Sequence, residues 1–300
     1  MTTLRVRHIT TYTYRRPVGF GEHRVLFRPR DSYDQLLLSA DIEVLPQPAS
    51  LHWIHDVFGN CVAIVNFDTK AEELRFETNI VLDHTPNTGP RFRTRRRART
   101  WPLEYDPEDL PDLEPAMRRH YPDNGEVATW AKKFVKPSGT TDTGHLLGTM
   151  TMAIREGFTY SRRTNPGTQP PQVTMATGTG TCRDFALLMM EACRSLGLAA
   201  RFVTGYIYVP SRDGSVNRGG GATHAWCQVF VPGAGWVEFD PTNGIVGNRD
   251  LIRVGVARDP RQAIPLSGTY VGGKDAPLGM TVQVNVTTAD ASRYNEIEKA

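Results

Sequence analysis

The chain has 300 residues, a formal net charge of +3 and 39% apolar residues, which excludes a disordered or fibrous protein and, at this length, points to about two domains. So small a charge gives no general pull toward nucleic acid. No run approaches the roughly 18–20 apolar residues of a membrane helix, and Met1–His8 has no apolar signal core, so a cytoplasmic protein without membrane association is expected.

The opening residues alternate in strand-like runs: Leu4–Tyr14, Gln35–Val44, Ala49–Asp56, Val62–Phe67 and Leu74–Leu82. Turn signals such as Pro46-Gln47-Pro48 and Phe58-Gly59-Asn60 separate them, and no helical pattern interrupts. The expectation is an all-β domain over residues 1–84, built as a sandwich or flattened barrel. Residues 85–112 are rich in proline and arginine, with Arg91, Arg93, Arg95, Arg96, Arg97 and Arg99 close together. A nucleic-acid arm would interleave aromatic residues for stacking, and only Phe92 and Trp101 are at hand. Such a run reads as a solvated linker or edge strand.

A second domain is expected over residues 113–300. Helical patterns cover Asp112–His120, Gly125–Val135 and Thr143–Phe158, the last with Leu146, Leu147, Met150, Ile154 and Phe158 on one face and Asp142 as its N-cap. Thr159–Met175 reads as a loop long enough to wall a cleft. A helix from Thr181 to Leu196 stops at Gly197. Strands follow at Ala200–Val209, Thr223–Val231 and Gly235–Phe239, with a mobile Gly-rich loop at Ser211–Ala222. After Asn243 the pattern is weak until a final strand at Thr281–Thr287. There is no internal repeat.

Cys182 stands where a Gly/Thr loop, Thr177-Gly178-Thr179-Gly180-Thr181, enters the helix whose apolar residues 185, 186, 189, 192, 193 and 196 mark one buried face. Unpaired backbone N–H groups and the positive end of the helix dipole favour a thiolate there. Alone, a helical cysteine is usually a small core residue, and Cys61 and Cys193 are read that way. The flanking glycines, His224 in Thr-His-Ala-Trp and Asp240 in Glu-Phe-Asp-Pro-Thr set Cys182 apart. Nucleophile, base and orienting carboxylate follow in that order. Asp184 points elsewhere on the helix and is expected to serve the dipole or tie down a loop. Trp226 shares a strand face with His224 and is open to two readings, cleft wall or core aromatic; Trp236 likewise. Arg162, Arg163 and Arg183 could meet an acidic substrate, though surface arginines are common.

Four cysteines without a Cys-x-x-Cys pair argue against a disulfide scaffold and a structural zinc site. His224 and Cys227 lie three apart on a strand and diverge, and Asp213 stands alone without a calcium-binding loop around it. No metal and no cofactor are expected.

Cys182-Arg183-Asp184-Phe185-Ala186, Arg194 through Tyr206, His224-Ala225-Trp226 and Gly235 through Thr242 together resemble the core of the bacterial transglutaminase-like proteins. Leu4–Asp83 is similar to the β-rich domain that precedes this core in that family. The resemblance implies an α+β, papain-like core in which a helix bearing the cysteine packs on an antiparallel sheet bearing His and Asp. It implies Cys182 as nucleophile, His224 as base and Asp240 as third member, acting on a peptide or amide substrate through a thioester. One departure is Leu187, where many relatives carry histidine. The family mixes hydrolases with transferases, so water or an amine as acyl acceptor stays open. The competing reading is a non-catalytic peptide-binding or scaffold module that retains the fold.

Overall fold

The computed structural model describes residues 2–86, 93–163, 167–209 and 221–289. Strand β1 (Thr2–Val25) alternates from Leu4 onward: Leu4, Val6, His8 and Thr10 are buried while Arg5 and Arg7 face solvent. It is followed by β2 (Gln35–Leu45), β3 (Ser50–His55), β4 (Cys61–Asn66) and β5 (Ala71–His84) in the order β2-β5-β1-β4-β3. The first half of β1 pairs antiparallel with β5, the second half with β4, and the register shifts between Thr13 and Val18.

Two later strands, Leu266–Val271 and Pro277–Thr288, also pair with β1. The expectation that residues 113–300 form one unit is corrected here, because the C-terminal strands return to the first sheet. The physical reason is edge pairing: β5 covers one side of the N-terminal half of β1, and the returning strand covers the other.

The linker expected over 85–112 is corrected as well. Ala98 is fully buried, the Arg95 N–H donates to the Pro232 carbonyl at 2.8 Å, and Arg95 and Arg97 both pair with Asp106. Gly233 has φ +94°, and a Cβ there would stand 2.6 Å from the Arg95 nitrogen, so the segment lies directly on this turn. Thr100–Trp101 then pairs with Thr141–Asp142, and the Trp101 indole donates to the Leu196 carbonyl at 2.8 Å. An arginine run with a carboxylate partner and an alanine to bury is folded chain, whatever its charge density. Arg91 lies outside the described residues.

The helices are α1 (Leu110–Met117), α2 (Glu126–Lys132), α3 (Thr143–Gly157), α4 (Pro171–Thr177) and α5 (Cys182–Ser195). The Asp142 carboxylate caps α3 by accepting from the His145 N–H at 2.8 Å. Helix α4 begins inside the stretch Thr159–Met175 expected to be a loop and runs past its end, correcting that expectation. A second antiparallel sheet runs in the order 245–246, 235–240, 224–231, 200–207, 251–257. Helix α5 packs on its strands Ala200–Ile207 and His224–Val231 and is buried nearly all round, with every residue from Asp184 to Arg194 buried, the charged Asp184, Glu191 and Arg194 included. Gly205 lets the neighbouring backbone close up, since a Cβ there would fall 2.0 Å from the Ile252 carbonyl and 2.8 Å from the Trp226 indole.

The two sheets share a core. Leu4, Val6, Ile80 and Leu82 of the first pack in one cluster with α5 and the second sheet, while Val25, Phe27, Leu74 and Phe76 form a core within the first. Polar groups lock the same junction. Gln35 exchanges two hydrogen bonds with the Arg253 backbone, Asn60 does so with Val256, and the Arg253 guanidinium reaches Asp34 and Glu238. His8 meets the Tyr206 hydroxyl at 3.0 Å, and burial pushes the imidazole down to about 4.

Candidate active site

The start of α5 is fixed by its own third residue. The Asp184 carboxylate is fully buried and accepts from the Thr181 N–H at 2.8 Å and the Thr181 hydroxyl at 2.9 Å, closing the first turn around Cys182. It also accepts from the Gln169 N–H at 2.8 Å and twice from Arg163, at 2.8 and 3.1 Å. Asp184 thus serves the helix end and ties down the loop before it, as its position off the Cys182 face foretold. Tyr160 is held nearby by the parallel pairing of Thr159–Tyr160 with Thr179–Gly180.

His224 opens the central strand of the second sheet, and Asp240 ends the next strand. Both side chains are buried, and the imidazole Nε2 lies 2.8 Å from Asp240 Oδ2. A carboxylate only accepts, so Nε2 carries the proton and Nδ1 is left for the sulfur. Nδ1 is buried with no partner at full hydrogen-bond geometry, yet the Cys182 thiol is close enough to act on the ring. Contacts of this kind commonly tighten when substrate binds. The structure thus pairs His224 with Asp240 and leaves Cys182 within electrostatic reach of the ring, without a hydrogen bond to Nδ1.

Burial by itself would lower the His224 pKa, but the charge and hydrogen bond of Asp240, with help from Cys182, raise it to about 10. Asp240 is held below the usual carboxylate range: burial pushes it up, and the imidazolium with hydrogen bonds from Asn243 and Thr242 outweighs that. A raised histidine stabilises the fold fully below its unfolded value near 6.5 and loses that contribution as pH rises through about 10. A lowered aspartate contributes above about 3.9 and loses its share as pH falls through the folded value. The Tm advantage of the wild type over His224→Gln, followed by calorimetry, should be largest below about pH 6.5 and shrink steadily toward pH 10. An advantage that grows over that range would contradict the imidazolium–carboxylate pair.

Sequence reasoning missed Asn243. Its Nδ2 donates at 2.8 Å to Asp240 Oδ2, the same oxygen that faces the imidazole, and lies 3.5 Å from His224 Nε2, so it fixes the carboxylate beside the ring. The Thr242 N–H donates to Asp240 Oδ1 at 2.9 Å, an Asx-turn that Asp-Pro-Thr-Asn makes legible. Trp226 is completely buried and stacks under the imidazole with centroids 5.8 Å apart, so it supports the ring from the core and walls no cleft. Trp236 is half-buried beneath the Arg201 guanidinium, 4.1 Å from the ring centroid. Cys193 and Cys227 are buried, and burial pushes the first up to about 12 and the second well above its ordinary value. Leu187 packs in the core. Residues 211–220 of the Gly-rich loop lie outside the described residues. Among the described residues, no group of three His, Cys, Asp or Glu side chains is placed to hold a metal ion, and no helix is long and apolar enough to cross a membrane.

Residues 4–83 match the bacterial transglutaminase-like N-terminal region, and residues 130–241 match the transglutaminase-like superfamily. An uncharacterized protein of Mycobacterium leprae is 26% identical, covering 95% of this chain and 99% of its own. One from Mycobacterium tuberculosis is 28% identical, covering 96% and 94%. A crystal structure of a protein from Cytophaga hutchinsonii, described as a "putative cysteine protease", superposes with a TM-score of 0.70 at 19% identity, covering 97% of this chain and 91% of that one. That likeness shows the α+β, papain-like fold with its β-rich N-terminal region. By both halves of its sequence and by its fold, the chain belongs to the bacterial transglutaminase-like family.

Proposed function

We propose that this chain catalyses cysteine-dependent acyl transfer at peptide or amide bonds, with Cys182 as nucleophile, His224 as acid and base, and Asp240 as the group that orients and charges the imidazole. The observation that carries the reading is the buried Asp240–His224 pair, which leaves one ring nitrogen for a cysteine on the first turn of α5.

The thiolate attacks the carbonyl carbon, and the carbonyl electron pair moves onto oxygen. Backbone N–H groups of the first turn of α5, that of Cys182 included, serve the oxyanion. The C–N bond then breaks as the imidazolium passes its proton to the departing amine, leaving a thioester on Cys182. Water or a second amine gives its proton to His224 and attacks the thioester, and the thiolate departs. Asp240 stays ionised and stabilises the imidazolium at each stage. All four cysteines are free, which supports a reducing compartment such as the cytoplasm, where the thiol stays available.

Incubation with peptide amides and isopeptides, with and without an added primary amine, tests the reading. Release of the leaving amine is expected from the wild type and not from Cys182→Ala. Incorporation of the added amine would mark a transferase, and its absence a hydrolase. Release that survives in Cys182→Ala would overturn the assignment.

A further inference from the structure

We infer that Arg162 and Arg183, with the Tyr160 hydroxyl near both, form an anion subsite at the nucleophile that selects acyl donors carrying a carboxylate beside the scissile amide, that is, acidic peptides. This rests on Cys182 being the reacting group.

Backbone geometry places the parts. Tyr160 pairs with Gly180, two residues before Cys182, and the Ser161 N–H donates to the Gly180 carbonyl at 2.9 Å. Arg162 therefore leaves this short ribbon beside the first turn of α5, where Arg183 follows the nucleophile directly. The next residue, Arg163, is clamped onto Asp184, so the direction of the chain past Arg162 is fixed. The Tyr160 ring rests edge-on against Phe185, with centroids 6.5 Å apart. The phenol lies within electrostatic reach of Cys182, Arg162, Arg183 and Asp184 together; burial first, then Cys182, raises its pKa, so at neutral pH it is a hydrogen-bond donor.

The charges near the sulfur do not cancel. Asp184 is buried under five hydrogen bonds and answers Arg163. Arg162 and Arg183 are exposed, and neither forms an ion pair with a carboxylate among the described residues. Two exposed guanidiniums and a hydroxyl donor beside the turn that carries the thiol, with no carboxylate paired to either guanidinium among the described residues, suit a carboxylate on the incoming acyl group. A neutral amide gains nothing from them.

Two alkylating agents that differ only in charge test this on the full chain. Rates of carboxymethylation by iodoacetate and carbamidomethylation by iodoacetamide are measured at Cys182 by peptide-resolved mass spectrometry at pH 7 and low salt. Their ratio cancels any change in thiolate population, because both reagents consume the same thiolate. The iodoacetate-to-iodoacetamide ratio should fall about three- to ten-fold in the Arg162→Gln/Arg183→Gln double variant, the scale of two partly exposed charge contacts. It should return in Arg162→Lys/Arg183→Lys and fall in the wild type as salt is raised. An equal ratio in the wild type and the Gln variant, with Cys182 reactive to iodoacetamide, would overturn the subsite and leave the nucleophile standing. Failure of both reagents at Cys182 in the wild type would overturn the nucleophile and the subsite with it.

Discussion

Asp240→Asn should keep the fold and lose about two to four powers of ten in turnover, because the imidazolium loses its counter-charge and the ring its enforced tautomer. The replaced oxygen accepts from His224 Nε2 at 2.8 Å and from Asn243 at 2.8 Å. An amide nitrogen there would set donor against donor, and turned around it would meet the Thr242 N–H, so neither orientation holds the ring as the carboxylate does. Cys182→Ala should abolish turnover, and His224→Ala should come close to doing so. Stopped assays on any amide the wild type cleaves, alongside circular dichroism of each variant, make the comparison. A fully active Asp240→Asn enzyme would reduce the machinery to a Cys–His dyad and give Asp240 the turn alone.

The largest stability effect is expected one helical face away from the site. Glu191 and Arg194 pair at 2.9 Å with neither side chain exposed, and Arg119 reaches the same carboxylate at 3.2 Å. The Arg194 guanidinium also donates to the carbonyls of Ala116, Ala200 and Arg258, binding α5 to α1, to the second sheet and to the chain before residue 260. Glu191→Leu leaves a buried guanidinium without its counter-charge, which costs about 3–5 kcal/mol and should lower Tm by on the order of 10 °C. Glu114→Gln, in the exposed pair with Arg118, should leave Tm unchanged. Equal effects from the two variants would mean that α5 is held by its apolar faces alone.

How much of this was legible in the sequence depends on how local the cause is. Helix α5 and its start could be read because one strong periodicity begins beside a Gly/Thr loop, and the cap that fixes the turn lies within three residues of Cys182. The early strands alternate well enough to be placed, but β1 runs on to Val25, well past the expected end at Tyr14, and β4 is buried at four successive residues. Strand Leu251–Ala257 was not, because it is buried on almost every residue and shows no period of two. Helix α4 is short and opens on Pro170-Pro171, which read as loop. The return of the C-terminal strands to β1 follows from which sheet edge stands open, and that is settled by tertiary structure. The arginine run failed as a linker for a similar reason: its described arginine side chains stay exposed, but Ala98 is buried and the distant turn at Pro232-Gly233 takes its backbone. Asn243 carries no pattern of its own; only the folded turn shows that its amide faces Asp240.

Labelling by iodoacetamide at pH 6, resolved by peptide, tests the central claim most directly. His224, with its pKa raised to about 10, is an imidazolium at that pH and can hold a thiolate at Cys182, whereas burial keeps Cys193, pushed up to about 12, and Cys227 protonated. Cys182 should be alkylated well before Cys61, Cys193 and Cys227, and His224→Ala should remove that lead. Equal labelling of all four cysteines, or a Cys182 lead that survives in His224→Ala, would contradict an imidazolium-activated nucleophile.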